Sequence, residues 1–172
     1  RVAELSRRNV SLNKFKAKIF DGDIATSIRE LKSVSFDHVF MNPPYFKKNS
    51  IKKSSIQSLN QAKVETVPLS EWFSAAKKRC RPKGKITIIQ RVERLPEIMK
   101  CLSGYFGQIT VQPLSSFIEA SPKTVIVQAT KSSSGAFTLL APKTVHKRDT
   151  VTGKVVYEEK LRKILHCGHP LL

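Results

Sequence analysis

The chain has 172 residues, 40% of them hydrophobic, which is enough for one substantial core and sets the expectation of one domain with a small appendage. No apolar run is long enough to cross a membrane and no secretory leader is recognisable, and the three cysteines, Cys80, Cys101 and Cys167, have neither paired nor metal-ligand spacing; a cytoplasmic protein is expected. Thirty-one Lys and Arg against thirteen Asp and Glu give a formal charge of +18, a field that attracts a polyanion, nucleic acid before any other.

In chain order, residues 1–13 read as a helix with Val2, Leu5 and Leu12 on one face. Lys18 to Ile24 reads as a short strand ending in the acidic turn Asp21-Gly22-Asp23, followed by a helix carrying Ile24, Ile28 and Leu31. Phe36 to Met41 suits a buried parallel strand. Asn42-Pro43-Pro44-Tyr45 then stops it, because two prolines remove two backbone donors and fix two φ angles. Asn49 to Val67 is polar, rich in Ser and Lys, and expected to be a substrate loop. Leu69, Trp72, Phe73, Ala76 and Cys80 form a helical stripe with Ser70 as its N-cap and Glu71 in the first turn. Arg81-Pro82-Lys83-Gly84 ends that helix, and Lys85 to Gln90 follows as a strand. A helix carrying Leu95, Ile98, Met99, Leu102 and Phe106 comes next, then strands over Ile109 to Pro113 and Thr124 to Ala129. After the turn at Lys131 to Gly135, Phe137 to Leu140 is expected to pair with Val155 to Tyr157 across Thr152-Gly153, and Tyr157, Leu161, Ile164 and Leu165 to form a terminal helix. The alternation gives an α/β class. There is no internal repeat. His166-Cys167-Gly168-His169 has metal-capable side chains, but one cluster beside a terminus reads as exposed tail, and no metal is assigned.

The strand followed by N-P-P-Y resembles the fourth motif of the S-adenosylmethionine-dependent methyltransferases that modify exocyclic or amide nitrogens, chiefly the amino group of adenine. The resemblance extends from Arg1 to about Tyr157. Arg7-Arg8-Asn9, Gly22-Asp23, N-P-P-Y-F and Glu71-Trp72 are most similar to the small-domain bacterial tRNA adenine methyltransferases that act beside the anticodon of a valine tRNA. Only N-P-P-Y is specific to the chemistry. The resemblance implies a Rossmann-like sheet of order 3-2-1-4-5-7-6, residues 1–131 being the C-terminal part of the methyltransferase domain and residues 132–172 an extension on it. Asp23 matches the family's acidic contact to the adenine end of the cofactor, S-adenosylmethionine, with Ile24 and Asn42 beside it; a helix-capping carboxylate is the simpler reading of Asp23.

The implied chemistry is physical. The amino nitrogen of adenine is a poor nucleophile because its lone pair is delocalised into the ring. The Asn42 amide oxygen and the Pro43 carbonyl can each accept one N–H, favouring a pyramidal nitrogen, so positioning supplies most of the rate. Pro44 stiffens the turn. Tyr45 and Phe46 would stack on the base, and Lys47, Lys48, Lys52 and Lys53 would hold flanking phosphates; an ordinary Asn-Pro turn and a solvated basic loop are the alternatives. The expected activity is N6-adenine methylation of RNA, most plausibly tRNA, by a monomer. Methylation of a release-factor glutamine and a non-catalytic RNA-binding remnant stand as alternatives. No G-x-G occurs among the seven glycines, so the glycine-rich cofactor loop and the first two strands of the family's sheet are expected to precede Arg1, and the chain alone to fold poorly or bind cofactor weakly.

Overall fold

The computed structural model describes residues 2–24, 26, 29–45 and 67–167. The first helix, α1, spans Val2–Leu12 and buries none of its residues; Leu5, on its apolar face, is 56% exposed. Residues 15–23 form no strand, contrary to expectation. A strand exists only where a neighbour satisfies its backbone, and no ladder of the sheet includes these residues. Of the segment expected as a helix carrying Ile24, Ile28 and Leu31, the described residues form a 3-10 turn at Arg29–Leu31, and residues 25, 27 and 28 lie outside them. The end of that segment is anchored instead by Arg79, whose guanidinium donates to the carbonyls of Leu31, Lys32 and Val34.

The core of the molecule is a sheet of β1 (Phe36–Met41), β2 (Cys80–Arg91), β3 (Phe106–Ser115) and β4 (Thr124–Lys131) in the spatial order β1-β2-β4-β3. β1 runs parallel to β2, whereas β4 is inserted between β2 and β3 and antiparallel to both. This is the 4-5-7-6 half of the expected order. Between the strands lie α2 (Leu69–Arg79) and α3 (Leu95–Leu102). Alternation along β2 and β4 sends Ile86, Ile88, Val125, Val127 and Ala129 to one face, where they meet Leu69, Phe73, Ile98 and Leu102 of the helices. Each fully buried Leu, Ile or Val here stabilises the fold by roughly 1.5–3 kcal/mol. The N-cap of α2 is Pro68, not Ser70, which lies inside the first turn; the expectation failed because Pro68, with no N–H to satisfy and φ of −56°, closes the turn through its carbonyl, accepting from Glu71 N at 3.0 Å.

α2 passes into β2 without a loop, since Arg79 ends the helix and Cys80 begins the strand. The strand is thus longer than expected. A bulge absorbs Arg81 to Gly84, with Lys83 at φ 62° and the register against β1 jumping between Phe36 and His38. Gly84 is needed there, because a Cβ would stand 2.8 Å from Cys80 Sγ and 2.9 Å from the carbonyl oxygens of Asp37 and Arg81.

The C-terminal part adds to the same sheet: β5 (Thr138–Leu139) and β6 (Lys143–Thr144) both pair parallel with β3. Val155–Tyr157 (β8) pairs with β7 (His146–Arg148) and not with Phe137 to Leu140 as expected. The reason is the intervening turn. Asp149 Oδ1 accepts from Val151 N, Thr152 N and Thr152 Oγ1, which folds the chain back after Arg148. The last helix, α4, spans Glu159–Cys167, and Tyr157 belongs to β8 rather than to it. Phe106, likewise, opens β3 instead of closing α3.

Candidate active site at the end of the first strand

β1 ends in the N-P-P-Y turn because neither Pro43 nor Pro44 has an N–H to continue the ladder. The turn is graded in exposure: Asn42 faces solvent, Pro43 is buried, and Pro44 and Tyr45 are half-buried. Two prolines leave two carbonyls that the sheet does not pair. Gln90, fully buried near the end of β2, supplies the donor: its Nε2 lies 3.2 Å from Pro44 O and 3.4 Å from Pro43 O, while its Oε1 accepts from Arg91 N at 2.9 Å. Both halves of the amide are engaged, so the turn is fastened to the neighbouring strand through a side chain. A carbonyl has two lone pairs, and Gln90 leaves Pro43 O able to accept a further N–H.

Below Asn42, on the face of the sheet opposite the helices, lies a groove of about 540 Å³ lined by His38, Phe40, Met41, Asn42, Thr87, Ile89, Ile126 and Gln128. Its apolar part includes Phe40, which is 72% exposed and stacks on His38 at 4.0 Å. Its polar part is a chain: His38 Nε2 lies 2.7 Å from Thr87 Oγ1, which also accepts from Gln128 Nε2 at 3.2 Å. Burial first and the Lys85 ammonium second lower the pKa of His38, keeping the imidazole neutral further into the acid range than is usual.

The structure thus brings Asn42, Pro43, Pro44 and Tyr45 into one turn. Asp23 and Ile24 lie on the irregular segment before β1, both exposed, and neither lines the groove; the Asp23 backbone carbonyl accepts from Thr26 N and Oγ1 at 3.1 Å. Phe46, Lys47, Lys48, Lys52 and Lys53 fall outside the described residues, as does nearly all of the expected substrate loop. Gln90 and the His38–Thr87–Gln128 chain were missed in sequence. A Gln at an inward position of an otherwise aliphatic strand is the signal that could have pointed to the first.

No family model matches the chain. Two curated proteins from strains of Porphyromonas gingivalis, each a "tRNA1(Val) (adenine(37)-N6)-methyltransferase", are 30% identical over 100 residues, covering 56% of this chain and 39% of theirs. The chain therefore spans about two fifths of the length of the curated relatives it matches. Among solved structures, an Agrobacterium tumefaciens protein described as a predicted O-methyltransferase superposes with a TM-score of 0.69 at 21% identity, covering 94% of this chain and 71% of that one. The methyltransferase subunit of a type I restriction-modification system from Streptococcus thermophilus gives 0.57 at 19% identity, covering 94% of this chain and 38% of that one. The fold is that of the Rossmann-like methyltransferases. Among the described residues no helix is long and apolar enough to cross a membrane.

Proposed function

We propose that this chain, whose sheet is that of the Rossmann-like methyltransferases, belongs to an enzyme that transfers a methyl group from S-adenosylmethionine to the exocyclic N6 of an adenine in RNA, a tRNA foremost. The observation that carries the reading is an exposed Asn42 at the C-terminal end of β1, on a turn that two prolines stiffen and Gln90 fastens. A ligand edge at the C-terminal ends of parallel strands is where such sheets do chemistry. The 30% identity to tRNA adenine methyltransferases and the charge of +18 favour RNA over other nitrogen substrates.

Asp23, Ile24 and Asn42 are proposed to take the adenosine portion and the methyl end of the cofactor, Asp23 and Ile24 standing apart from the groove beside Asn42. Asp23 offers an exposed carboxylate as acceptor for an amino group, Ile24 a part-exposed apolar side chain for a ring face, and Asn42 an exposed amide. When bound, S-adenosylmethionine supplies an electrophilic methyl carbon whose bond to sulfur breaks as the bond to nitrogen forms. Asn42 Oδ1 and Pro43 O hold the two N–H groups of the amine, and one proton leaves to water once the nitrogen has been alkylated. Neither acceptor needs to be a strong base; both need to be in place before reaction. Tyr45 offers a ring against which the extruded base stacks. Lys47, Lys48, Lys52 and Lys53, with Phe46, are proposed to contact the flanking nucleotides.

The test is transfer of labelled methyl from S-adenosylmethionine by the intact protein into bulk tRNA, into RNA whose adenines are replaced, and into release factor. Label in adenine-containing RNA that disappears with Asn42→Ala is the expected result. Label in release factor alone would replace the reading with glutamine methylation. No label in any acceptor, with RNA still bound, would leave a binding protein.

A further inference from the structure

A second cavity, larger than the groove beside the N-P-P-Y turn, lies elsewhere among the described residues. It is a groove of about 840 Å³ between the loop after β3, β6, the β7–β8 hairpin and α4. Its walls mix two chemistries. Lys143, Lys147, Arg148, Lys160 and Lys163 bring five positive charges against a single acidic wall residue, Glu158, whose Oε2 already accepts from Lys160 N at 2.8 Å. Two further acids stand near. Glu159 pairs with Lys163 at 3.4 Å, and the Asp149 carboxylate is committed to the hairpin turn. Between these charges Phe117 and His146 begin a ladder of rings: His146 tilts towards Phe117 at 6.1 Å and is backed from outside the lining by Tyr157, stacked on it at 5.1 Å, and the Arg148 guanidinium lies 5.9 Å from the centre of Phe117. Ile118, at the rim, is 86% exposed.

Register ties this groove to the candidate active site. Pairing runs Arg91 to Thr124, Thr124 to Leu114 and Leu114 to Lys143, one residue beyond the row in which Gln90 grips the N-P-P-Y turn. Val145 N and His146 N then bond to the carbonyls of Ser115 and Ser116, so β7 rises from the same edge. The groove and Asn42 therefore share one edge of the sheet, separated by four strand spacings of about 4.8 Å, or roughly 20 Å. Exposed Lys123 lies on the edge between them.

We infer that this groove is a second contact for single-stranded RNA, holding nucleotides away from the target adenine by phosphate pairing and base stacking. The inference rests on the RNA reading above, and deepens it by making recognition two-footed. Positive charge interleaved with aromatic faces is what an unpaired strand requires, whereas a duplex presents no base faces to stack. An acidic protein segment would use the charges and leave the ring ladder idle.

The experiment measures binding of labelled oligouridine, which has no adenine to methylate, to the intact protein across a salt series. Lys147→Ala/Arg148→Ala should weaken binding about tenfold and lower the slope of log K against log salt by about 1.4, two contacts at about 0.7 each. Phe117→Ala should weaken binding about tenfold with the slope unchanged. Lys77→Ala/Lys78→Ala removes the same charge from the end of α2, outside the groove, and should change neither. An equal loss in this control would show a diffuse field and overturn the groove. So would wild-type affinity in the first two variants, or displacement by polyglutamate as strong as by polyuridylate. Methyl transfer is scored separately: a wild-type protein that binds oligouridine through the groove but shows no Asn42-dependent transfer sinks the enzymatic reading alone, and normal transfer with wild-type RNA affinity in the groove variants sinks the groove alone.

Discussion

Replacing Gln90 by Met keeps the volume of a fully buried side chain and deletes its hydrogen bonds, which isolates what the amide does for the N-P-P-Y turn. Three polar groups lose a partner: Pro44 O at 3.2 Å, Pro43 O at 3.4 Å and Arg91 N at 2.9 Å. An abandoned buried donor or acceptor costs about 1–3 kcal/mol. The 3.4 Å contact is at the weak limit and contributes little. The other two remain, and because Pro44 and Arg91 are half-buried, water recovers part of each loss; the expected cost is about 2–3 kcal/mol. For a chain of this size that lowers Tm by roughly 4–12 °C in a thermal melt. Gln90→Glu should lose comparable stability above the pKa of the buried carboxyl, because a carboxylate cannot donate and stands against two carbonyls, and should regain it at low pH where one O–H is restored. In transfer assays kcat should fall more than KM changes, since the turn that presents Asn42 and Pro43 is fastened chiefly through the bond from Gln90 to Pro44 O. A Gln90→Met protein within about 0.5 kcal/mol of wild type in denaturant titration would refute the clamp.

Asn42→Ala should cut methyl transfer by on the order of 10²-fold or more while leaving cofactor affinity near wild type, as read by single-turnover transfer and calorimetric titration. Tyr45→Phe should be tolerated, whereas Tyr45→Ala should lose roughly 1–3 kcal/mol of base binding, measured with labelled RNA. Gly84→Ala, with its new Cβ 2.9 Å from two backbone oxygens, should cost about 1–3 kcal/mol in a denaturant titration. The lowered pKa of His38 means that the folded protein binds fewer protons than the unfolded chain between that pKa and 6.5, so stability is full above about pH 6.5 and declines as pH falls below it. Tm against pH should show that slope, and His38→Gln should flatten it.

What was readable in the sequence follows from how local the cause is. Leu69 to Ala76 and Leu95 to Leu102 carry their periodicity within a few turns, and the alternation of Ile86, Ile88 and Gln90 marks one face of a strand, so α2, α3 and β2 were visible. The N-P-P-Y turn was visible because proline acts on its own φ and N–H. Failures came where the cause lies in another segment. Lys18 to Asp23 has a strand's composition but pairs with no strand among the described residues. Val155 to Tyr157 pairs with His146 to Arg148 because an Asp149 carboxylate folds the intervening turn, and a pattern of apolar residues does not encode that preference. The clamp by Gln90 and the basic, ring-lined groove join residues far apart in sequence, and they become readable only when register is known.

The placement of β4 between β2 and β3 has a kinetic corollary. β2, α3, β3 and β4 are consecutive, every ladder among them is closed within Cys80–Lys131, and together they hold most of the fully buried side chains. β1 joins the sheet through one parallel ladder, to residues of β2 that lie 44 to 47 positions further along the chain, and α1 buries nothing. Opening should therefore be graded from the N-terminal side inwards, with amide protons on β2 and β4 the last to exchange with deuterium and those of α1 the first. A protease acting on the native protein should accordingly leave Leu69–Lys131 as its resistant remnant, because α2 runs into β2 without a loop and buries Leu69 and Phe73 in the core, although the chemistry proposed for the molecule resides in the part it removes.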